Sequence, residues 1–290
     1  MHKAGFVNIV GNPNVGKSTL MNQLVGEKLS IATFKAQTTR HRIMGIVNTE
    51  DTQIVFSDTP GVLKPNYKMQ EMMLQFSESA LADADILLYV TDVVEDPEKN
   101  MDFLEKVSKM SIPVILLINK IDESDQKTLG NLVTKWHGLL PNAEILPISA
   151  KNKFGVDILL KRVHELLPES PAFFDKDQLT DKPAKFFVSE IIREKILRYY
   201  DKEIPYSVEV VIERFKEDDR QIHISAIIYV ERSSQKGIII GHQGMALKKV
   251  STEARKSLER FFDKKIFLET FVKVDKDWRN SQKELKHFGY

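Results

Sequence analysis

Short apolar runs alternate with helix-period segments through the first 168 residues, and this alternation constrains the fold more than any other feature. We predict strands at residues 6–10, 43–47, 53–57, 85–91, 113–118 and 145–148, and helices at residues 17–25, 97–109, 125–139 and 155–166. Short apolar strands separated by helices are typical of a mostly parallel six-stranded sheet with helices on both faces. The second and third runs are too close together for a crossover helix, so we expect an antiparallel hairpin there.

The order of elements changes in the second part of the chain. Residues 167–185 contain three prolines and many polar side chains, which is typical of a linker, and we place this linker at residues 169–185. Beyond it we predict helices at residues 187–200, 233–240 and 245–262 and strands at residues 206–215, 221–230 and 265–274. The chain is therefore expected to hold an α/β domain at residues 1–168, an α+β domain at residues 186–275 and a tail at residues 276–290.

Composition excludes several classes of site. The chain has no cysteine, so disulfides, cysteine-ligated zinc, iron–sulfur clusters and thiol catalysis are ruled out. The first residues lack the pattern of a secretory signal peptide, and the longest apolar runs are far too short to cross a bilayer, so we expect a cytoplasmic protein. The net charge of +1 combines −4 in residues 1–180 with +5 in residues 181–290. This asymmetry favours a polyanionic partner for the second part, and two solvated surfaces of ordinary composition are the alternative.

A glycine-containing octapeptide at residues 11–18, GNPNVGKS, stands between the first predicted strand and the first predicted helix. It matches the pattern GxxxxGK[ST], in which backbone N–H groups converge on phosphates at a helix N-terminus. In this pattern Lys17 reaches the β- and γ-phosphates and Ser18 binds Mg²⁺. The predicted phosphate-binding residues are Gly11, Asn14, Val15, Gly16, Lys17, Ser18 and Thr19.

Two further motifs indicate which base is bound. The tetrapeptide NKID at residues 119–122 directly follows a predicted strand, at the edge where ligands bind in parallel sheets. The carboxylate of Asp122 can accept hydrogen bonds from guanine N1–H and N2–H₂, and adenine offers neither donor there. The tripeptide at residues 149–151 would present backbone N–H groups to the guanine carbonyl. The predicted guanine-binding residues are Asn119, Lys120, Asp122, Ser149, Ala150 and Lys151.

The tetrapeptide DTPG at residues 58–61 ends the third predicted strand. Asp58 would hold Mg²⁺ directly or through water, and Gly61 would place its N–H near the γ-phosphate. Each of these short motifs also occurs as a plain turn. Their joint order along the chain predicts a site for GTP and GDP with Mg²⁺ as its cofactor.

A GxxG tetrapeptide lies between two predicted helices of the basic second part. Such a loop clamps the backbone of about four single-stranded nucleotides in KH modules, and a tight turn between helices is the alternative. The predicted RNA-binding residues are Gly241, His242, Gln243, Gly244, Lys248 and Lys249. The basic amphipathic helix at residues 245–262 suits either a membrane surface or packing on a sheet, and we favour packing. The tail, which contains Trp278, either contacts RNA or frays.

With these motifs in this order, the sequence resembles the Era family of GTPases over essentially the whole chain. The stretch QTTR at residues 37–40 belongs to the same resemblance. The family resemblance implies a P-loop GTPase domain followed by a type II KH domain. It also implies hydrolysis of GTP to GDP and phosphate, binding to the 3′ end of 16S ribosomal RNA, and a role in assembly of the 30S subunit. A threonine of QTTR then binds Mg²⁺, and we favour Thr39, with Thr38 as the alternative.

The resemblance also bears on catalysis. Val62 follows DTPG, where Ras-type enzymes carry a glutamine that orients the attacking water. Asn14 either helps to hold a potassium ion that bridges the phosphates or caps the loop, and these two interpretations stay open. The predicted catalytic residues are Lys17, Thr39, Gly61 and Asn14, and the switches are expected at residues 30–41 and 59–80.

Two rival functions remain from the sequence alone. One is an RNA scaffold in which GTP hydrolysis is incidental. The other is a signalling GTPase that associates peripherally with the cytoplasmic face of the membrane through the basic second part. We expect a monomer.

Overall fold

The computed structural model describes residues 1–290 and divides the chain into two compact units. The first unit comprises residues 1–66 and 70–181, and the second comprises residues 67–69 and 182–290. Most of the stretch that we expected to be a linker therefore belongs to the first unit. Thr180 forms a β-bridge with Gly45, and the Ile46 N–H donates to Leu179 O at 2.8 Å. This polar, proline-containing segment runs along a sheet edge because its backbone finds partners there.

Apart from one helix at Lys68–Ala82, the first unit alternates strands and helices in the order expected. Its elements are β1 (Lys3–Gly11), α1 (Lys17–Val25), β2 (Ile43–Asn48), β3 (Thr52–Asp58), α2 (Lys68–Ala82), β4 (Ile86–Asp92), α3 (Met101–Ser108), β5 (Val114–Asn119), α4 (Gln126–Leu139), β6 (Glu144–Pro147) and α5 (Val156–Leu166). The six strands form one sheet in the order β2-β3-β1-β4-β5-β6. Only β2 runs antiparallel to its neighbour, so the predicted hairpin and the mostly parallel sheet are confirmed.

Two helices of this unit differ from the prediction. Helix α2 was not predicted, although Met69, Met73, Ser77 and Ala80 are all fully buried and recur at the three- and four-residue spacing of a helix. Helix α3 begins at Met101, four residues after the predicted start, because Asp96 and Pro97 take part in turns.

The register of the parallel strands brings their carboxyl ends to one edge of the sheet. Gly11 pairs with Val90, Ile9 with Asp58, and Asp92 with Asn119. Strands β3 and β4 are buried along their whole length, so the loops that leave these strands are the parts free to meet a ligand. All four nucleotide motifs follow strands at this edge.

The second unit contains a three-stranded sheet. Its elements are α6 (Ala184–Tyr199), α7 (Ile204–Ser207), β7 (Glu209–Glu217), β8 (Gln221–Val230), α8 (Ser233–Ile240), α9 (Met245–Phe262), β9 (Lys265–Val274) and α10 (Gln282–His287). The sheet order is β7-β8-β9, with β7 antiparallel and β9 parallel to β8. Apart from the added single-turn helix α7 and the tail, this is the predicted order of helices and strands.

Helix α9 packs against the core as favoured above. Val250, Ala254 and Leu258 are buried against the sheet, which accounts for the apolar face without a membrane. Phe261, expected on the same face, is instead 42% exposed, and its ring stacks on Phe187 with the centroids 5.7 Å apart. No helix of the protein has both the length and the apolar character needed to cross a membrane.

The tail does not fray. Trp278 and Leu285 are fully buried, and the Trp278 indole N–H donates to Ser207 O at 3.2 Å. The Trp278 ring meets Phe288 edge-on at 5.4 Å. Of the two alternatives left open for the tail, fraying is therefore wrong, because one tryptophan after the last strand provides enough apolar surface to anchor the segment.

Replacement of Trp278 by alanine should lower the free energy of unfolding of the second unit by about 3–5 kcal/mol, as expected for truncating a fully buried tryptophan. Chemical denaturation followed by circular dichroism measures the change. Lys276→Ala, on an exposed neighbour in the same tail, is the matched control and should stay within about 0.5 kcal/mol of the parent protein. Equal midpoints for the two variants would contradict the buried position of Trp278.

Candidate functional sites: the strand-edge cavity and the GxxG loop

The loop between β1 and α1 contains two glycines in a positive-φ conformation that other residues rarely adopt. Gly11 and Gly16 have φ of 147° and 97°. A Cβ added at Gly11 would lie 2.1 Å from Val90 O, and one at Gly16 would lie 2.2 Å from the Asn119 side-chain nitrogen. The sequence therefore needs glycine here for both conformation and close approach. The loop lines a cavity of about 430 Å³ together with residues 31–35 and residues 37–39.

Lys17 lies back across this loop. Its ammonium donates to Gly11 O at 3.0 Å and to Asn12 O at 2.7 Å, and the residue is only 6% exposed. Burial lowers the pKa of Lys17 to about 8, and the nearby carboxylates of Asp58 and Glu95 partly oppose this shift. A buried ammonium on the floor of the cavity is suited to an anionic ligand.

Two hydroxyl groups and one carboxylate, from Ser18, Thr39 and Asp58, lie close together beside Lys17. The Ser18 hydroxyl donates to Asp58 Oδ2 at 2.7 Å and lies 2.8 Å from Thr39 Oγ1, while the Thr39 hydroxyl lies 3.3 Å from the same carboxylate oxygen. Asp58 Oδ1 is buried without a hydrogen-bond partner, and burial raises the pKa of this carboxyl. Hydroxyl and carboxylate oxygens around an unsatisfied carboxylate are the donor set that Mg²⁺ prefers, so the residues fit this cofactor.

The two candidate threonines have different surroundings. Thr38 Oγ1 lies 2.7 Å from Thr33 Oγ1 and donates to Lys35 O at 2.5 Å, so its hydroxyl serves its own loop. Thr39, by contrast, contacts Ser18 and Asp58. The geometry thus favours Thr39, the preferred candidate from the sequence.

The start of the second switch lies against the phosphate loop. The Val62 N–H donates to Gly11 O at 3.0 Å, and a Cβ added at Gly61 would lie 2.7 Å from Pro13 Cα. The side chain of Val62 is buried and has no polar atom, so it cannot form a hydrogen bond to a water in the cavity. Asn14 has φ of 68° and an exposed side chain for which the structure shows no hydrogen bond. The loop-capping interpretation of Asn14 therefore has no hydrogen bond to support it.

The base-recognition residues form a second cluster at the same edge. The Asn119 side-chain N–H donates to Val15 O at 2.8 Å, and the Ala150 N–H donates to Asn119 Oδ1 at 2.9 Å. The Ser149 hydroxyl donates to Asp122 Oδ1 at 2.6 Å, which holds the pKa of Asp122 below its usual range. Asp122 is therefore an ionised acceptor on the surface of the site.

The remaining predicted base-site residues lie beside this cluster. Lys120 has a left-handed backbone with φ of 61°, and its ammonium lies 2.5 Å from Asp92 Oδ2. Lys151 is exposed at the start of the turn that follows Ala150.

Two residues that were not predicted from the sequence, Asp92 and Asn100, contact the predicted base-site and phosphate-loop residues. Asp92 ends β4, holds Lys120 through one oxygen and accepts the N–H groups of residues 94 and 95 with the other. Asn100, the residue before α3, donates to the Asn12 side chain and to Val62 O rather than capping its own helix. The position of Asp92 at a strand's carboxyl end was a usable signal, whereas nothing in the sequence marks Asn100.

The GxxG loop of the second unit uses a similar backbone. Gly241 and Gly244 have φ of 70° and 75°, and Gln243 has φ of 49°. A Cβ at Gly241 would lie 2.6 Å from the Cβ of Ala246, whereas one at Gly244 would meet no atom within 4 Å. The loop therefore has a closed side toward the helix and an open side toward solvent.

The predicted RNA-binding side chains surround this open side. His242, Gln243 and Lys248 are exposed, while the ammonium of Lys249, also exposed, lies 4.5 Å above the ring of Tyr199. The structure also divides the three isoleucines before the loop, because Ile239 is buried, Ile240 is half-buried and Ile238 is 48% exposed. Ile238 therefore leaves an apolar side chain exposed three residues before the GxxG loop.

Two family models match the chain. Residues 6–120 match a family described as 50S ribosome-binding GTPase, and residues 203–279 match the KH domain family. Curated relatives match the full length. A GTPase Era of Clostridium kluyveri is 44% identical over 292 residues that cover 100% of both chains. A GTPase Era of Geobacter sp. (strain M21) is 46% identical over 290 residues, covering 99% of this chain and 98% of the relative.

Solved structures agree with these relatives. A crystal structure of Era in complex with MgGDPNP and nucleotides 1506–1542 of 16S ribosomal RNA has a TM-score of 0.96 and 37% identity, covering 100% of this chain and 99% of its own. An Aquifex aeolicus Era variant bound to GDP·AlF4⁻ has a TM-score of 0.95 and 38% identity, with 99% of both chains covered. The predicted P-loop GTPase domain and KH domain are thereby confirmed. The chain belongs to the Era family of GTPases, because it is 44–46% identical to Era proteins over its full length, matches both domain families and shares the fold of Era.

Proposed function

We propose that this GTPase binds the single-stranded 3′ end of 16S ribosomal RNA through its KH domain and acts in maturation of the 30S subunit. GTP hydrolysis is the activity of its family. The observation that carries the RNA assignment is the open GxxG loop of the basic second unit. A solved Era structure that matches this chain over its full length was crystallised with nucleotides of 16S ribosomal RNA. We expect the protein to act as a cytoplasmic monomer.

The strand-edge cavity supplies what phosphoryl transfer needs. Backbone N–H groups of the β1–α1 loop and the helix N-terminus bind the phosphates, and Lys17 neutralises charge on the β- and γ-phosphates. Ser18, Thr39 and Asp58 would hold Mg²⁺, which when bound would supply positive charge beside the phosphate oxygens. Gly61 presents its N–H on the γ-phosphate side. Loss of that phosphate removes the contact that orders both switches, which is the basis of a nucleotide-dependent change.

The chain lacks the glutamine that orients the attacking water in Ras-type enzymes. Val62 is buried and apolar, so it cannot orient the attacking water. Asn14 lines the phosphate cavity and its side chain has no hydrogen bond, and an amide oxygen is the type of ligand that binds K⁺. We propose that K⁺ supplies positive charge at this place in the transition state.

Exchange of KCl for NaCl should therefore slow single-turnover GTP hydrolysis about tenfold or more, which is the order of effect for one lost electrostatic stabiliser. Asn14→Ala should be slow in both salts, because the amide oxygen is gone. Asn131→Ala, at an exposed position on α4, is the control and should keep the full potassium response. A potassium response that survives in Asn14→Ala would remove Asn14 from this role.

Guanine specificity is tested at Asp122. Asp122→Asn replaces an ionised acceptor by a side chain that donates, so GTP affinity should fall about 10- to 100-fold while xanthosine triphosphate binds more tightly than before. Isothermal titration calorimetry with both nucleotides measures the switch. Asp157→Asn, an exposed residue on α5, should leave both affinities unchanged. If the nucleotide preference of Asp122→Asn equals that of the parent protein, Asp122 does not bind the base.

The RNA assignment is tested at the second GxxG glycine. Gly244→Asp places a carboxylate where phosphates would bind, so affinity for a short RNA from the 16S 3′ end should fall at least about tenfold at fixed salt. Aspartate tolerates the left-handed backbone at this position, so the fold should survive. Gly138→Asp, on an exposed glycine of α4 with no atom within 4 Å of an added Cβ, is the matched control.

The same titrations with GDP and with a non-hydrolysable GTP analogue test the coupling. We expect tighter RNA binding with the analogue. Equal affinities would favour a scaffold in which hydrolysis is incidental. Displacement of the RNA by anionic vesicles would instead favour the membrane-associated rival.

A further inference from the structure

One face of the second unit's sheet carries aromatic and basic side chains that none of the sites above uses. The register places Lys216, His223 and Phe267 in one row across β7, β8 and β9, and Arg214, Ser225 and Glu269 in the next. Alternate residues of β8, from Ile222 to Val230, point into the core on the opposite face. We call the first side the outer sheet face; it comprises Arg214, Lys216, His223, Ser225, Lys265, Phe267, Glu269, Phe271 and Lys273.

The tail covers only one end of this face. Phe288 of the tail lies 5.2 Å from the ring of Tyr229, near the end of β8. Phe267 and Phe271 lie beyond it and are each 50% exposed. The Phe267 ring is held by His223, with centroids 5.5 Å apart, so a flat aromatic surface is already oriented toward solvent. Two half-exposed phenylalanines on one face of one strand form a patch rather than scattered exposed residues.

The spacing of the two rings suits separate planar groups. Phe267 and Phe271 are four residues apart on β9, which places them about 13 Å apart along the strand. Exposed aromatic rings on a sheet are the platform on which RNA-recognition modules stack two or three bases. Stacking of this kind accepts any base, because each base has a π-face.

The charges around the rings favour a polyanion over a neutral or acidic partner. Arg214, Lys216 and Lys265 form no ion pair, and Lys273 lies 3.4 Å from Glu213. Of the acidic residues at this face, Glu213 pairs with Lys273, Asp218 Oδ2 lies 3.5 Å from His223 Nε2, and Glu269 has no ion pair. Three unpaired cations against one unpaired carboxylate leave a positive surplus beside the aromatic rings. Phosphates of a single strand would meet this surplus while its bases meet the rings.

We propose that the outer sheet face is a second binding site for single-stranded RNA, with bases stacked on Phe267 and Phe271 and phosphates near Arg214, Lys216 and Lys265. It is separate from the GxxG loop, because α8 and α9, which flank that loop, pack against the opposite face of the sheet. The proposal rests on the RNA-binding function proposed above and extends it. A strand long enough to leave the GxxG loop would gain affinity here.

Two RNAs of different length separate the sites. A six-nucleotide RNA fills the GxxG loop, and a 37-nucleotide single strand can reach both sites. The double variant Phe267→Ala/Phe271→Ala should lose about 10-fold or more in affinity for the long RNA, since each stacked base contributes on the order of 1–3 kcal/mol. Its affinity for the short RNA should stay within twofold. Phe154→Ala/Phe173→Ala, at exposed positions of the first unit, is the matched control.

Two further variants keep the test independent of folding. Phe267→Trp retains the ring, so it should keep the long-RNA affinity and show fluorescence quenching by the long RNA but not by the short one. Lys216→Ala should lower the slope of log affinity against log salt by about 1 for the long RNA only.

The outcomes distinguish this proposal from the function on which it rests. If the double alanine variant binds both RNAs as the parent protein does while Gly244→Asp binds neither, the outer sheet face is not an RNA site and the GxxG assignment stands. If the double variant loses both RNAs equally, the effect is not that of a second site and the proposal is overturned. If the unmodified protein binds neither RNA, both proposals fail.

Discussion

Asn119 is the side chain on which the geometry of the nucleotide site depends. One carboxamide donates to Val15 O in the phosphate loop and accepts from the Ala150 N–H in the base-recognition loop. Because Gly16 passes so close to its side-chain nitrogen that a Cβ would collide, the phosphate loop is packed as well as bonded against it. Both loops leave parallel strands at one sheet edge, and this carboxamide fixes the distance between them. Phosphate binding and base recognition are thus parts of one rigid frame.

The frame also holds two charged groups that are almost completely buried. Lys17 and Asp58 are both almost completely buried, burial lowers the pKa of the first to about 8, and burial raises that of the second. The shift on each group means that its charged form is held at a cost in free energy. Phosphates and a divalent cation would remove that cost by supplying opposite charges to both.

The parts that could be predicted from the sequence are those fixed by local pattern and strand order. Gly11, Gly16 and Asp122 could be predicted as site residues because their motifs have defined spacing and follow strands. Asn100 was not predicted, because its partners lie 88 and 38 residues away and the sequence placed it inside a helix expected at residues 97–109. The packed tail was missed for the same reason, since the burial of Trp278 depends on Ser207 and Phe288. Tertiary partners decide such residues, and the sequence alone does not identify them.

One helix in each unit begins with the same backbone geometry, but other atoms crowd that helix start in the first unit and leave it open in the second. Helices α1 and α9 both begin after a glycine with positive φ, Gly16 and Gly244, and neither has a side-chain cap. An uncapped first turn leaves N–H groups free for an anion at the positive end of the helix dipole. Gly16 is enclosed by Asn119, whereas Gly244 has open space around its Cα. Enclosure suits a small nucleotide that must be held while one bond is broken, and an open loop suits a polymer whose backbone passes through and continues in both directions. The two helix starts therefore share one backbone geometry, and the difference between them lies in what surrounds the glycine.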